Sequence, residues 1–370
     1  MRSKSDTDEQ KYGTRRNFLK TGAGLAALGV AGCVGGGGGS DEPTESSPLK
    51  VEFFGGVFQE VLNEHLVEPF REDTGIPIES SAGTSAGEPL QLKQAVDAGE
   101  APIDMVAASP VNRIRGERLG IWHTYEEDDI PNSDLALPSL VSTDESGAVS
   151  GIGAYGWFSV PVTQTDLVDE PITSWKAIWD DQYTWALGQD SDSSLLDLTA
   201  NMYFDGRETL ETEDGIVRVM EKIAEATGNV GLWYDGEAQA QQALLNEEVD
   251  ASWLFNDVTL VMEDDGAPVT PEFPEEGAVQ NDANWVILDS TSYPDAAKEF
   301  LNYTLQPEVQ ENISKNLYTY PTLKTEHIDL GDELEDRIFG PGAEEAFRAY
   351  YEIKLDNEQF INEKWREIVL

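Results

Sequence analysis

One cysteine and three histidines in 370 residues leave little for thiol or metal chemistry. A single thiol cannot close a disulfide within the chain, and His65, His123 and His327 share no metal-ligand spacing. His65 falls on the apolar face of a predicted helix, where a core role is expected. Basic residues are scarce too: 24 Lys and Arg stand against 71 Asp and Glu, a formal charge of −47. Such a chain repels polyphosphate and carries no basic stripe to offset the repulsion, so nucleic acid is excluded as a partner. No apolar run reaches the roughly 20 residues of a spanning helix. There is no glycine-rich loop ending in Lys-Ser or Lys-Thr, and the glycines at 35–39 lack the flanking strand that a phosphate cradle needs. No metal and no cofactor is expected.

What is present suffices for a core. With 39% hydrophobic and 9% aromatic residues the chain is expected to fold, and its length suggests two domains or lobes. The first twenty residues hold six basic side chains and three acids. Without residues 1–32, 24 less 6 leaves 18 basic and 71 less 3 leaves 68 acidic residues, a net charge of −50. These acids are spread along the chain, which favours a solvated acidic shell, and adaptation to concentrated salt, over a localised cation site.

The start of the chain reads as a compartment signal. Arg15 and Arg16, within Thr14-Arg15-Arg16-Asn17-Phe18-Leu19-Lys20, precede a short apolar run over 21–32, and the order resembles a twin-arginine export signal. Val30-Ala31-Gly32-Cys33 resembles a lipobox, so residues 1–32 are expected to be a signal peptide and Cys33 to carry a lipid. Residues 33–48 have almost nothing to bury and read as a tether holding a soluble body at the outer face of the cell membrane.

The body alternates strand and helix, the pattern of an α/β fold. Residues 49–54 alternate as a strand, and Gly55-Gly56 turns into a helix whose apolar positions are Phe58, Val61, Leu62, Leu66 and Phe70. Thr74-Gly75 closes that helix, and further strands are expected over 76–81 and 104–109 after a helix over 89–98. The pattern restarts with strands over 153–160, 183–187, 251–255 and 284–288. Helices are expected over 193–203, 215–226, 238–248, 295–303 and 307–316.

Two local motifs point to chemistry. Gly83-Thr84-Ser85-Ala86-Gly87 matches a nucleophile elbow between strand and helix, which admits a serine hydrolase if His123 or His327 serves as base. The same loop could present backbone N–H groups to a ligand or small anion. Asp190-Ser191-Asp192 resembles the start of a calcium loop, but Asn201 stands where the closing Glu belongs and the central Gly is missing. Those carboxylates could instead cap a helix or meet a cationic ligand. Trp157, Trp233, Trp253 and Trp285 lie at or beside predicted strand ends, where aromatic faces suit core packing or an ammonium group.

Several segments together resemble the extracytoplasmic solute-binding proteins of ABC importers, in particular the spermidine/putrescine-binding group, over residues 49–370. They include Pro69-Phe70-Arg71-Glu72-Asp73-Thr74-Gly75-Ile76, Ile172-Thr173-Ser174-Trp175-Lys176-Ala177-Ile178-Trp179, Glu247-Glu248-Val249-Asp250, Gln306-Pro307-Glu308-Val309, Tyr320-Pro321-Thr322 and Glu363-Lys364-Trp365-Arg366. The resemblance implies a two-lobed periplasmic-binding-protein-like fold of type II with a ligand cleft between lobes joined by crossing strands. Residues 49–153 and 284–317 would form lobe 1, and 154–283 with 318–370 lobe 2. It implies a monomeric carrier that is not an enzyme and that delivers a polyamine or similar small cation to a membrane permease. A ferric ion held by Tyr318 and Tyr320, a thiamine-like cation or a small anion would fit the same role. By position, the implied ligand contacts are Phe54, Phe58, Ser109, Tyr155, Trp157, Asp190, Asp192, Phe255 and Tyr320. The polyamine-binding group places an aromatic residue and, two positions on, an aspartate before the late crossing strand, where this chain reads Asn281-Asp282-Ala283. Asp282 is also expected in the cleft, provided a bulge restores a side chain that strand alternation turns to the opposite face.

Overall fold

The computed structural model describes residues 47–83, 88–144, 146–189 and 194–370. The expected signal peptide, Cys33, all but the last two residues of the expected tether, Ser85, Asp190 and Asp192 therefore lie outside the described residues. Among the described residues eleven strands form one mixed sheet: β1 Leu49–Phe54, β2 Ile78–Gly83, β3 Met105–Ala108, β4 Val141–Thr143, β5 Val149–Gln164, β6 Trp185–Gly188, β7 Val230–Tyr234, β8 Ala251–Phe255, β9 Val269–Pro271, β10 Val279–Ile287 and β11 Phe347–Arg348. The order along the sheet is β2-β1-β3-β10-β5-β8-β6-β7, with β4 and β9 on β5 and β11 on β10. The β2-β1-β3 group is parallel, as is β8-β6-β7, while β10 and β5 run antiparallel to their neighbours in between.

Four hydrophobic clusters of described residues pack around the sheet, and the two largest flank those central strands. In the first, Phe53, Trp285, Phe300 and Phe70 meet edge to face, with ring centroids 5.8, 5.5 and 5.1 Å apart in that order. In the second, Trp175 stacks on Trp253 at 4.4 Å, and the buried Trp185 and Trp365 complete the aromatic packing. Each ring removes a large apolar area from water, the main favourable term for burial.

The opening unit folds as its sequence spacing indicates. Helix runs from Val57 to Thr74 with a π-helical stretch, Asn63–Val67, in its middle, and Gly75 closes it at φ 75°. Such a left-handed closing position favours glycine. Thr74 Oγ1 donates to the Phe70 carbonyl at 2.7 Å. Other boundaries differ from expectation. β5 has 16 residues, all but Trp157 buried, and spans about 50 Å at the usual strand rise. β10 begins five residues earlier than its apolar stretch, because Gln280, Asn281 and Asp282 pair with β5 although they are polar. β7 and the helices Asn256–Asp264, Asp332–Phe339, Tyr351–Asp356 and Glu358–Ile368 were not expected. Among the described residues no helix is long and apolar enough to cross a membrane.

Candidate functional site

A cavity of about 620 Å³ opens where the parallel strands end. Phe54 closes β1, Leu187 and Gly188 close β6, Tyr234 closes β7 and Phe255 closes β8, and all of them line it. Strand C-termini on either side of a change in strand order are where open α/β sheets bind ligands. Gly56 at φ 68° lets the chain turn directly into the helix that carries Phe58. Ser109 follows β3 and caps the helix Pro110–Arg118 by accepting from the Asn112 backbone N–H at 3.3 Å.

The walls are aromatic. Trp157, the single partly exposed residue of β5, has its ring centroid 5.9 Å from Phe54, 6.4 Å from Phe58 and 6.0 Å from Phe255. Trp253 adds a further ring, and Tyr234 donates its hydroxyl to the Trp253 carbonyl at 2.6 Å. Asn281 faces the same space and donates to Ser159 Oγ at 3.0 Å.

Three carboxylates from the β7 and β8 turns join these rings: Asp235, Glu237 and Asp257. Asp257 stands two residues after β8, in the first turn of the helix Asn256–Asp264, and is 2% exposed. Its Oδ1 has no hydrogen-bond partner. Burial pushes its pKa up to about 8, helped by the charge of Glu237 and opposed by the backbone N–H of Val258. Glu237 keeps exposed surface, yet protein atoms crowd its carboxylate enough that desolvation raises its pKa as well. None of the described lining residues is Lys, Arg or His.

The family model described as bacterial extracellular solute-binding protein matches residues 65–337. The chain belongs to that family. Solved structures share the fold at low identity. A substrate-binding protein of an ABC transporter from Bradyrhizobium japonicum has a TM-score of 0.74 and 18% identity, over 88% of this chain and 100% of its own. MotA from A. tumefaciens, in complex with glucopine, has a TM-score of 0.73 and 17% identity over 88% and 100%. The Atu4243 GABA receptor has a TM-score of 0.72 and 18% identity over 88% and 98%. No curated protein matches.

Of the contacts expected from sequence, this solute-binding protein brings Phe54, Phe58, Ser109, Trp157 and Phe255 to the cavity. Tyr155 lies beneath it, 1% exposed, its ring 5.3 Å from Phe58 and its hydroxyl without a partner. Burial, then the charge of Asp257, raise the pKa of that hydroxyl. Tyr320 is buried against the crossing strands, where its hydroxyl donates to the Asn281 carbonyl at 2.7 Å and accepts from Gln280 Nε2 at 3.0 Å. Asp282 requires correction: it is fully buried on the opposite face, paired with Arg348 and accepting from Asn284 Nδ2 at 2.5 Å. The register shift between the crossing strands leaves Ala154 of β5 as the extra residue, opposite Ala283 and Asn284, so β10 itself keeps its alternation and Asp282 stays on the face opposite Asn281. Its pKa is raised by burial, against the pull of Arg348. Tyr318, a candidate iron ligand, bonds Asp264 and accepts from Arg337 at 3.0 Å instead. Neither His123, 3.7 Å from Asp289, nor His327 lines the cavity.

Glu237, Asp257, Tyr234 and Asn281 were not picked out from sequence. A residue just past a buried strand is a general signal for such a site, and Asp257 follows Phe255 closely enough for that signal to have found it. With 71 acids in the chain, composition gave no reason to single out one.

Proposed function

We propose that this extracellular solute-binding protein captures a small organic cation, a polyamine such as spermidine or putrescine first, and passes it to an ABC permease in the membrane. The observation that carries the reading is Asp257, a buried carboxylate with an unpartnered oxygen in an aromatic cavity that no described basic residue lines. A buried carboxylate without a counter-ion is costly, and an ammonium group removes that cost while gaining cation–π attraction from the surrounding rings. Neighbours named for GABA and glucopine indicate that the fold accommodates different solutes, so the lining side chains must choose. Here they favour positive charge. A thiamine-like cation is the second reading, supported by the number of aromatic rings available for stacking. The ferric reading loses support because Tyr318 and Tyr320 bond elsewhere and the described residues hold no cluster of His, Cys, Asp and Glu suited to a metal. The hydrolase reading loses support because neither candidate histidine is at the cavity.

The rest of the reading rests on sequence. Export follows the twin arginines Arg15 and Arg16, a lipid on Cys33 holds the protein at the membrane, and the acidic surface suits concentrated salt. The protein acts as a monomer without a catalytic step. Residues 49–153 with 284–317, and 154–283 with 318–370, are its two lobes, an assignment supported by the core around Trp175, which draws on the second set alone, while the core around Trp285 draws mainly on the first and takes in Ala154, Tyr155, Ala283 and Leu323 at the crossing.

A thermal-shift screen in molar KCl against spermidine, putrescine, thiamine, ferric citrate, amino acids, sugars and oxyanions tests the reading. A ligand bound by the native state alone stabilises it by about 2.7 kcal/mol at a hundredfold excess over its Kd. Stabilisation by a polyamine, weakened by about 1.5 to 3 kcal/mol in Asp257→Asn, is the expected outcome. Stabilisation only by sugars or oxyanions discards the cation.

A further inference from the structure

The cavity contains an asymmetry that bears on how a cation would be held. Its described carboxylates come from one side, the turns after β7 and β8, whereas the side formed by β1, β2 and β3 offers Phe54, Gly83 and Ser109. Of the three acids, Asp235 is held by the Gln189 side-chain amide and Glu237 reaches exposed surface, while Asp257 is enclosed and keeps an oxygen without a partner. A carboxylate in that position is stable in either of two ways: it keeps its proton, or it meets a positive charge.

We propose that a cation entering this cavity takes the place of a proton on Asp257, so that capture releases one proton to solvent and tightens as the medium becomes more alkaline. This rests on the cation reading of the same site. The groups facing Asp257 leave the two states open to exchange. Glu237, from the helix Glu237–Leu245, bears on it with negative charge, and Tyr155 on β5 adds a neutral hydroxyl whose ionisation burial suppresses. On its own helix, Glu263 and Asp264 lie at the far end and pair with Arg337 of the helix Asp332–Phe339. From the helix Pro307–Leu317, Lys315 is engaged with Glu311 at 3.5 Å. Asn281 on β10 is neutral. Among the described residues no positive side chain acts on Asp257, so the ligand supplies the counter-ion. Its raised pKa, about 8, means that near neutral pH the protein alone holds the proton that the cation must displace.

The test is calorimetric titration in molar KCl with spermidine, and with tetramethylammonium as a probe whose charge is permanent. Neighbouring positive charges lower the successive ammonium pKa values of spermidine, whereas tetramethylammonium has no proton to lose, so the proton count and the pH slope are read from tetramethylammonium and spermidine gives the affinity. Affinity should rise about tenfold per pH unit from pH 5.5 to 7.5, roughly a hundredfold in total, as displacement of one proton requires. Titrations at pH 7 in buffers of different ionisation heat should give close to one proton released. In Asp257→Asn the release and the slope should vanish. Glu237→Gln, at an exposed position, should keep the slope but move its upper limit to lower pH, because Glu237 helps to raise Asp257. This second variant keeps the test sound if Asp257→Asn does not fold. Binding that is tight yet independent of pH overturns the exchange and leaves the cation reading standing. Proton release retained in Asp257→Asn also overturns it. Absence of binding by both probes at pH 8 removes the cation reading and the exchange together.

Discussion

Asp257 and Asp282 are both buried aspartates, and their surroundings give them opposite roles. Asp282 meets the Arg348 guanidinium and the Asn284 amide, whereas Asp257 has one oxygen left over. The first is a structural ion pair of the kind that strands a charge when either partner is removed. The second has no counter-ion among the described residues, and burial without one weakens the protein once the group must ionise. The unfolded chain ionises Asp257 near its ordinary pKa of 3.8, while the native state keeps the proton until about 8. Below the lower value the group is protonated in both states and its contribution is full. As pH rises through the window the unfolded state sheds the proton first, so native stability falls until pH 8. Asp257→Asn removes this loss. Denaturant midpoints at pH 5, 6, 7 and 8 in molar KCl should show the variant gaining on the parent by on the order of 1 kcal/mol per pH unit. Parallel curves would mean that the parent ionises Asp257 normally.

At the scale of elements, the crossing strands depend on a side chain that is missing. Gly156 on β5 lies against the Tyr320 ring, and a Cβ there would come within 1.9 Å of Tyr320 Cζ. The close approach lets Tyr320 make an antiparallel bridge to Gly156 while its hydroxyl reaches β10 at the Asn281 carbonyl. Gly156→Ala should push the ring away and destabilise the protein by about 1 to 3 kcal/mol, the usual range for overpacking. Gly228→Ala, where nothing lies within 4 Å, should change stability by less than about 0.5 kcal/mol. Equal losses in equilibrium denaturation would remove the explanation. The elements also differ in how legible they were. The unit from β1 to Gly75 follows from apolar spacing and a glycine stop, which are local signals. β7 and the first half of β10 did not follow, because Val230–Tyr234 is short and only partly buried, and Gln280-Asn281-Asp282 is polar on both faces. Strand pairing there is imposed by neighbours distant in the chain.

For the whole molecule the dominant quantity is a formal charge of −47. Repulsion among exposed carboxylates weakens the folded state, and screening shortens from about 10 Å at 0.1 M salt to about 3 Å at 1 M. The Tm should therefore climb steadily from 0.1 to 2 M KCl, and climb far less in sucrose of equal osmolality. Equal gains in both would assign the effect to general exclusion from the surface rather than to charge. By itself the sequence determined the alternation of strand and helix, the acidic surface and the aromatic residues at strand ends, since periodicity and composition act through near neighbours or through sums. It also brought Phe54, Phe58, Ser109, Trp157 and Phe255 forward as contacts, by resemblance. Only the tertiary structure decided which of the described carboxylates lies enclosed at the cavity with an oxygen left unpartnered, and that Asp282 turns to Arg348 while Asn281 turns to the cavity. Burial and pairing depend on chain segments brought together from far apart, so Asp257 is distinguished by what surrounds it rather than by its place in the sequence.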